Sequence, residues 1–370
     1  LSQFNINEKL VFLSESQFWN SEHQRKYQEN KLQKVIKHAY DNVLYYNELF
    51  NSVRLKPYDI KQIEDLEKLP VLTKSIIKEN FSSLLAKNHN NFKSQKRWTG
   101  GTTGEPLVYY SDKNSWEMHW ALKYRAWEWA GYKFGDPIGI MGGASIIPDR
   151  KSGLKRKLWN QISNFYPLPS SNVNEQILFD YIKKIKQNNI QFIRGYPSSI
   201  ANFANFILKN DVKTKIKSVI TTAEVLTDEY KQIITDAFGC LLIDTYGCAD
   251  GGGNANTCEC NTGFHVSFEA SIWEVCNENG APTEVGQQGE VTLTSLTNYA
   301  MPLIRYQPGD VIENSFDCSI CKCGRTLPRI NRIQGRTTDL LKFANGVTLG
   351  GPAFTLLFRE FPIEKYQMVQ

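Results

Sequence analysis

The sequence predicts an α/β protein in which a parallel sheet with crossover helices is followed by a β-rich subdomain. Between residues 137 and 247, short apolar runs such as IQFIRGY, KSVITTAE and CLLIDTYG alternate with helix-like stretches. Strands that alternate with helices of about a dozen residues are joined by crossovers and lie parallel. Beyond Gly251 the runs FEASIWEVC and GEVTLTSL alternate along their length and are separated by turn residues. They indicate a separate β-rich subdomain.

The individual helices are predicted from apolar spacing and capping residues. Apolar side chains recur every three to four positions between residues 25 and 50, which is typical of an amphipathic helix. Thr73 follows LPVL and is expected to cap a short helix. LVYY is a strand candidate, and the next helix, over 114–130, carries an aromatic stripe. Three further helices are predicted at 175–187, 198–209 and 227–238.

Composition excludes several classes of protein. The chain has 370 residues, 41% of them hydrophobic, so we expect a globular protein with a sizeable core. Its 43 basic and 38 acidic side chains leave a net charge of only +5, which argues against nucleic-acid binding. The densest basic stretch, at 150–157, predicts a solvated loop or a contact with an anionic surface. No apolar run reaches the ~20 residues of a membrane helix, and no secretory signal is visible in the chain that begins at Leu1. We therefore expect a cytoplasmic protein with no integral membrane segment.

The stretch TGGTTGEP, residues 99–106, is a candidate phosphate cradle. Glycines let the backbone approach a ligand closely, and amides and threonine hydroxyls bond phosphate oxygens. The loop lacks the Gly-Lys-Ser/Thr of a Walker motif. Taken alone, it is equally typical of a polar turn.

Five of the eight cysteines fall into two groups, CECNTGFH and CSICKCGR. Two such short spacings and a histidine can form a tetrahedral zinc site. Buried thiols or a disulfide are the alternatives.

The glycine-threonine loop is followed in order by TTAEVLTDEY, DTYGCADGG, MPLIRYQPGDVI and GRTTDLLKFANG. Together these motifs resemble the adenylate-forming acyl ligase superfamily, and most of all the phenylacetate-CoA ligase family and its relatives in capsular-polysaccharide loci. The resemblance covers nearly the whole chain. It implies a large adenylation domain with a parallel α/β sheet, a zinc-stapled β-rich subdomain and the start of a mobile C-terminal lid.

The resemblance implies a role for each matching residue. The loop residues are expected to hold the β- and γ-phosphates of ATP; they are Thr99, Gly100, Gly101, Thr102, Thr103 and Gly104. Ala223 and Glu224 match the backbone that borders adenine, and Tyr246, between Thr245 and Gly247, matches the aromatic ring that stacks on it. Asp250 matches a Mg²⁺ ligand, Asp310 matches the carboxylate that accepts the ribose hydroxyls, and Arg336 matches an arginine near the α-phosphate.

The resemblance also implies substrates and metal ligands. Gly142, Gly143, Tyr196 and Pro197 are expected to line the pocket for a small carboxylic acid. After adenylation, the acyl group is expected to pass to coenzyme A or to an amine or hydroxyl acceptor. The expected zinc ligands are Cys258, His265, Cys321 and Cys323, with Cys260 and Cys318 as substitutes. A homodimer remains open.

Three departures from the family pattern limit these expectations. Asp250 stands where relatives carry Glu, which shortens the reach to the metal by one methylene. Thr338 stands where relatives place an acidic hinge residue. The catalytic lysine of the family lies beyond Gln370, so we expect the chain to bind ATP or AMP but to adenylate poorly without an extension.

The chain is predicted to contain four segments. Two other functions are also compatible with the sequence. A helical N-terminal region is expected over 1–95, an α/β nucleotide- and acid-binding core over 96–250, the β-rich subdomain over 251–337 and the hinge with a partial lid over 338–370. One alternative function is a nucleotide-binding sensor or scaffold without catalysis. The other is a zinc-dependent nucleic-acid binder, which the mild charge disfavours.

Overall fold

The structure is a computed structural model that describes residues 6–99, 106–143, 146–147, 164–171 and 173–336, together with the backbone of two short strands at 340–342 and 348–350. Within these ranges, no helix has both the length and the apolarity that crossing a bilayer requires.

The N-terminal segment is helical, but the helix predicted between residues 25 and 50 is divided in two. Asn20 caps the first of the two helices by accepting a hydrogen bond from the His23 amide (2.8 Å). The β-branched Val43 then adopts extended backbone and ends that helix. The helices of this segment are α1 (Ile6–Ser16), α2 (Ser21–Asn42) and α3 (Leu44–Ser52).

Two short helices and a hairpin lead from this segment to the glycine-threonine loop. Thr73 caps α4 (Lys74–Glu79) as predicted, because its hydroxyl accepts from the Ile76 amide (3.3 Å). After α5 (Phe81–Leu84), β1 (Gln95–Trp98) and β2 (Val108–Ser111) pair antiparallel. The predicted strand LVYY is therefore one arm of a hairpin whose tip contains the loop.

The aromatic stripe lies on α6 (Lys113–Trp129), one residue from the predicted bounds. Asp112 caps this helix by accepting from the Ser115 amide (2.7 Å). Tyr124, Trp127 and Trp129 are buried, so most of the stripe belongs to the core as expected of aromatic residues at helical spacing.

The central sheet has eight strands in the order β13-β9-β8-β7-β6-β5-β3-β4. The five strands from β4 to β7 are parallel, as predicted. They are β3 (Ile138–Gly142), β4 (Phe165–Pro169), β5 (Phe192–Gly195), β6 (Ser218–Thr222) and β7 (Leu241–Cys248). The crossover helices are α7 (Glu175–Gln187), α8 (Pro197–Lys209) and α9 (Asp228–Phe238), each within one residue of its predicted bounds.

The other three strands make the sheet mixed rather than wholly parallel. A four-residue connection follows β7 and returns the chain as β8 (Gly253–Thr257). So short a connection allows only antiparallel pairing, because a parallel crossover needs about a dozen residues. The antiparallel edge continues through β9 (Phe264–Val266) and β13 (Arg329–Ile330).

A second sheet of four antiparallel strands has the order β10-β11-β12-β14. The region beyond Gly251 therefore supplies strands to both sheets, and the predicted division of the chain into four segments stays a prediction. The strands are β10 (Ser271–Cys276), β11 (Gln288–Ser295), β12 (Asp310–Glu313) and β14 (Ile333–Arg336), and a further pair is formed by β15 (Leu340–Lys342) and β16 (Thr348–Gly350).

The central sheet separates two apolar cores. Ile140 of β3 and Phe192 of β5 face α6 and α1, whereas Met141 and Ile193 face α7 and α8. This alternation follows from the two-residue period of a strand. A side chain near the end of β3 or β5 therefore lies on one face of the sheet or the other according to its position along the strand.

Candidate active site

Thr99 and Leu107, which flank the glycine-threonine loop, are joined by two hydrogen bonds. The Thr99 amide donates to the Leu107 carbonyl (2.9 Å), and the Leu107 amide donates to the Thr99 hydroxyl (2.9 Å). This pair extends the β1–β2 ladder beyond Trp98 and Val108. Gly100, Gly101, Thr102, Thr103 and Gly104 lie outside the described residues.

Ala223 and Glu224 follow the carboxyl end of β6. Ala223 has a φ of +70°, which is rare for a residue with a Cβ and costs about 1–2 kcal/mol. The Glu224 carboxylate accepts from the amide (3.2 Å) and the hydroxyl (2.6 Å) of Ser198. Glu224 therefore joins the end of β6 to the first turn of α8.

Thr245, Tyr246 and Gly247 lie on β7, the next strand of the sheet. The Thr245 hydroxyl donates to the Thr221 carbonyl of β6 (2.7 Å). The Tyr246 ring meets Trp273 edge to face at 5.6 Å between centroids, and its hydroxyl donates to Asp310 Oδ2 (2.6 Å). Gly247 is exposed, and its missing side chain faces open space.

Asp310 and Arg336 are directly opposite each other on β12 and β14. Arg336 Nε lies 3.6 Å from Asp310 Oδ1. Burial raises the pKa of Asp310, while the hydrogen bond from Tyr246 and the charges of Arg336 and Lys74 favour its ionised form. The structure therefore brings Tyr246, Asp310 and Arg336 together, although they come from three strands of two sheets.

Asp250 is buried in the turn between β7 and β8. Its Oδ2 accepts from the Tyr306 hydroxyl (2.6 Å), and its Oδ1 lies 3.2 Å from the Cys248 sulfur. Each carboxylate oxygen can accept a further bond. Its charge raises the pKa of the neighbouring Asp310, so two carboxylates share this edge of the sheet. The magnesium role of Asp250 stays a prediction.

The four residues predicted to line the acid pocket lie at the carboxyl ends of β3 and β5. A Cβ at Gly142 would lie 3.3 Å from the Tyr196 ring, and one at Gly143 would lie 3.5 Å from it. Tyr196 and Pro197 begin α8. At Gly195 a Cβ would lie 2.0 Å from the Met141 carbonyl oxygen, so only glycine fits where the two strands approach.

Three basic side chains beside this pocket were not predicted. His119 and Lys123 lie one turn apart on α6, and Arg194 lies on β5 two residues before Tyr196. Burial lowers the pKa of Lys123 to about 7 and that of Arg194 to about 10. The sequence feature that could have indicated this group is the presence of His119 and Lys123 within the aromatic stripe of α6.

Asp244 is a further buried acid that the sequence reasoning missed. It accepts from the Thr221 hydroxyl (2.6 Å) and the Thr245 amide (3.0 Å), and burial raises its pKa to about 6. It stands two residues before Tyr246 in the DTYGCAD motif. Its hydrogen bonds hold β6 and β7 together beneath the predicted adenine contacts.

A compact thiol and imidazole cluster lies at the antiparallel edge of the central sheet. The ligand atoms of Cys258, His265, Cys321 and Cys323 all lie within 4.8 Å of one another. The structure thus brings together the four residues expected from the sequence. Cys318 is exposed, and neither Cys318 nor Cys260 belongs to the cluster.

Local backbone geometry positions the ligands on short turns. The Gly324 amide donates to the Cys321 carbonyl (2.8 Å), and Gly324 has a φ of +84° that favours glycine. Cys258 follows β8, and His265 lies on β9. The knuckle of Cys321 and Cys323 therefore closes over two neighbouring strands.

The surroundings of the cluster favour a neutral imidazole and a thiolate at Cys321. Burial lowers the pKa of His265 to about 4. Burial acts to raise the pKa of Cys321, but hydrogen bonds from the Cys323 amide and the Thr262 hydroxyl outweigh it, and the pKa is lowered. Burial raises the pKa of Cys258. Arg325 and Arg329 lie near the sulfurs of Cys323 and Cys321. The donor set is that of a closed tetrahedral metal site.

The fold and these side chains define a class of protein. Tyr246 of the mixed α/β sheet meets a carboxylate and an arginine, Asp310 and Arg336, of the second sheet. Ligands of such sheets bind at the carboxyl ends of the strands. The arrangement is that of a nucleotide-dependent α/β enzyme.

Comparison with known proteins shows which proteins the chain is similar to. No protein-family model matches the chain. Phenylacetate-coenzyme A ligase of Thermus thermophilus is 24% identical over 337 residues, covering 86% of this chain and 71% of the relative. The phenylacetate-coenzyme A ligase of Pseudomonas putida is 27% identical, with the same two coverages. Protein CapK of Staphylococcus aureus is 26% identical over 85% of this chain and 68% of its own length.

Solved structures show the same fold. 2-Hydroxyisobutyryl-CoA ligase in the postadenylation state superposes with a TM-score of 0.73 at 17% identity, covering 93% of this chain and 74% of the ligase. Its open conformation gives 0.72 at 18% identity over 93% and 82%. The resemblance predicted from the motifs is confirmed. In sequence and in fold the chain is similar to adenylate-forming acyl-CoA ligases, and these relatives support an ATP-dependent carboxylate ligase.

Proposed function

We propose that this enzyme activates a small carboxylic acid as its acyl-adenylate, releases pyrophosphate and then transfers the acyl group to an acceptor. The observation that carries the proposal is the contact of Tyr246, Asp310 and Arg336. Relatives named as coenzyme A ligases support it.

In this proposal the nucleotide lies across the carboxyl ends of β6 and β7. Ala223 and Glu224 border the adenine, and the Tyr246 ring stacks on it. Asp310 accepts the two ribose hydroxyls, and its bond to Tyr246 holds the carboxylate in position. The loop from Thr99 to Gly104 holds the β- and γ-phosphates through backbone amides and hydroxyls.

The chemical step is the attack of a substrate carboxylate oxygen on the α-phosphorus of ATP. A new P–O bond forms, the bond between the α-phosphorus and its bridging oxygen breaks, and pyrophosphate leaves with the bonding electrons. Negative charge grows on the phosphate oxygens, and Arg336 and the loop amides stabilise it. Mg²⁺, with Asp250 as the proposed ligand, would neutralise part of the phosphate charge.

Coenzyme A is the favoured acceptor, because the phenylacetate-coenzyme A ligases named above are similar over most of their length. An amine or hydroxyl acceptor, including one in surface-polysaccharide synthesis, is the other proposal. Its support is the likeness to CapK together with the sequence motifs shared with polysaccharide-locus relatives.

We also propose that the cluster of Cys258, His265, Cys321 and Cys323 holds a structural zinc ion. Three thiolates and one imidazole leave no open coordination position, so the ion would not take part in catalysis. Three thiolates on Zn²⁺ carry one net negative charge, and Arg325 and Arg329 lie beside it. The ion would join the loop before β13 to the edge of the central sheet.

The test of the proposed function combines product analysis with one variant. Because the catalytic lysine is expected beyond Gln370, a chain extended to include it is incubated with ATP, Mg²⁺ and pooled carboxylic acids, and acyl-AMP is sought by mass spectrometry. ATP affinity is measured by calorimetry for the wild type and for Asp310→Asn. Charge-assisted hydrogen bonds contribute about 1.5–3 kcal/mol each, so we expect Asp310→Asn to weaken ATP binding about tenfold or more.

Asp180→Asn, an exposed carboxylate on α7, is the matched control and should bind ATP like the wild type. Unchanged ATP affinity in Asp310→Asn would overturn the assigned nucleotide site. ATP binding without acyl-AMP from any acid would favour a sensor or scaffold function instead.

A further inference from the structure

A group of basic side chains lines the wall of the proposed acid pocket. Arg194 pairs in register with Ile140 of β3 on one side and Ile220 of β6 on the other, and both isoleucines face α6. Arg194 therefore points to the α6 side, as does Tyr196 two residues later. Its guanidinium lies 5.6 Å from the centre of the Trp127 ring on α6.

His119 and Lys123 approach the same space from α6. They are four residues apart and so lie on one face of the helix. The Lys123 ammonium lies 4.9 Å from the centre of the Trp120 ring, and the His119 ring stacks on Trp116 at 5.1 Å. Aromatic rings of α6 therefore lie against both of these basic side chains.

These cations have no acidic partner within the part of the chain that the structure describes. No carboxylate there forms an ion pair or hydrogen bond with Lys123 or Arg194, and the buried Nε of Arg194 has no hydrogen-bond partner. Burial lowers the pKa of Lys123 and His119, and the charge of Arg194 lowers both further. Such a group of like charges is costly to bury unless an anion completes it.

Two glycines let the end of β3 approach its neighbours closely. A Cβ at Gly142 would lie 2.5 Å from Ile146 and 3.3 Å from the Tyr196 ring, and one at Gly143 would lie 3.5 Å from that ring. The predicted acid pocket is therefore bordered by backbone and by the side chains of Ile146 and Tyr196, and Arg194 lies two residues before Tyr196 on β5.

We propose that the acid substrate is dianionic, with one carboxylate presented for activation and a second carboxylate or phosphate group bound by Arg194 and Lys123. This inference rests on the proposed function, since it names the class of acid that the same site accepts. Arg194 supplies a planar fork of donors for an oxyanion, and Lys123 supplies a point charge. A simple apolar acid would leave both cations unpaired.

The test compares acids that share a skeleton and differ by one charge. Calorimetry measures the affinity of the full chain for hexanoate and adipate, and for phenylacetate and 4-carboxyphenylacetate, with and without ATP. We expect the dianion of each pair to bind at least about tenfold more tightly, which corresponds to one well-placed charged contact. The same comparison with a phosphorylated carboxylic acid distinguishes carboxylate from phosphate as the second group.

Variants of the basic side chains test which residues cause the preference for the dianion. Arg194→Gln and Lys123→Met should each reduce the preference for the dianion to within about threefold while leaving ATP affinity unchanged, and Arg194→Lys should retain part of it. Lys183→Met, an exposed lysine on α7, is the control and should behave like the wild type.

Equal or weaker binding of the dianions by the wild type would overturn the inference, and so would a preference that survives both Arg194→Gln and Lys123→Met. If ATP does not bind but the dianion preference is present and disappears in Arg194→Gln, the anion subsite stands and the proposed function fails. If ATP binds and no preference is found, only the inference fails.

Discussion

At the residue scale, the environment of Lys123 decides its charge. Burial lowers the pKa of this lysine from 10.5 to about 7, and the positive charge of Arg194 on β5 acts in the same direction. His119 shares its helix face, and Arg97 acts on His119 from β1. The aromatic ring nearest to the ammonium is that of Trp120.

The sign of the resulting pH dependence follows from proton binding. Between pH 7 and 10 the unfolded chain keeps the Lys123 proton that the folded chain has lost, so stability falls as the pH decreases through this range and levels off below about 7. Lys123→Met should therefore raise the melting temperature more at pH 7 than at pH 10. The expected gain at pH 7 is of the order of 1 kcal/mol.

Thermal unfolding of Lys123→Met and of the Lys183→Met control at both pH values measures the effect. A melting temperature at pH 7 that is unchanged or lower in Lys123→Met would contradict the assigned burial of its charge.

Single residues also show where sequence reasoning stops. The motifs predicted Tyr246 and Asp310 as separate nucleotide contacts, but not the 2.6 Å bond between them. The motifs also predicted Asp250 as a metal ligand, but not its hydrogen bond with Tyr306. Partners so far apart along the chain leave no local signal, because the pairing depends on how β7, β8 and β12 are arranged in space.

At the element scale, helix bounds were predicted well because capping and apolar spacing are local. Four helices are capped in the same way: a side-chain oxygen accepts a hydrogen bond from the backbone amide three residues further along the chain. The capping residues are Thr73, Asp112, Asn174 and Thr227. Strand pairing was predicted less completely. The runs after Gly251 indicated a separate β-rich subdomain, but which strands extend the central sheet depends on the tight turn after β7.

The cysteine knuckle is an element whose proposed metal can be tested directly. Cys321→Ser removes one of the four clustered ligands, whereas Cys318→Ser changes an exposed thiol outside the cluster. Elemental analysis of the freshly purified wild type should find about one zinc per chain. We expect Cys321→Ser to lose zinc and several kcal/mol of stability, because binding free energy of a structural ion is folding free energy.

Cys318→Ser should retain both the zinc and the melting temperature of the wild type. Equal zinc contents in the two variants, or a wild type with substantially less than one zinc per chain, would contradict the proposed site.

At the scale of the whole molecule, one buried ion pair joins distant parts of the chain. Arg125 of α6 and Glu269 are 2% and 0% exposed, with 2.6 Å between Nη1 and Oε1. The hydroxyl of Ser16, at the end of α1, donates to the same oxygen of Glu269 (2.7 Å). Ser267 accepts from the other terminal nitrogen of Arg125 (2.8 Å). The pair therefore ties α1 and α6 to the segment that leads into the second sheet.

Glu269→Gln should destabilise the protein by about 3–5 kcal/mol, because it leaves the buried Arg125 without a counter-charge. Asp41→Asn, which breaks the exposed pair with Lys37 on α2, should change stability by less than about 1 kcal/mol. Urea denaturation of the two variants and the wild type measures both effects. A Glu269→Gln midpoint no lower than that of Asp41→Asn would contradict the role given to the buried pair.

The sequence by itself determined the fold class, the bounds of the crossover helices, the resemblance to adenylate-forming ligases and the four residues that form the thiol and imidazole cluster, because capping, periodicity and motif order are properties of neighbouring residues. Only the tertiary structure decided that the sheet is mixed, that Tyr246 bonds Asp310, and that Arg194 of β5 faces α6, the helix that carries Lys123. The physical reason is that the energy of a charge or a polar group depends on burial and on partners from distant elements. Those surroundings exist only once the chain has folded.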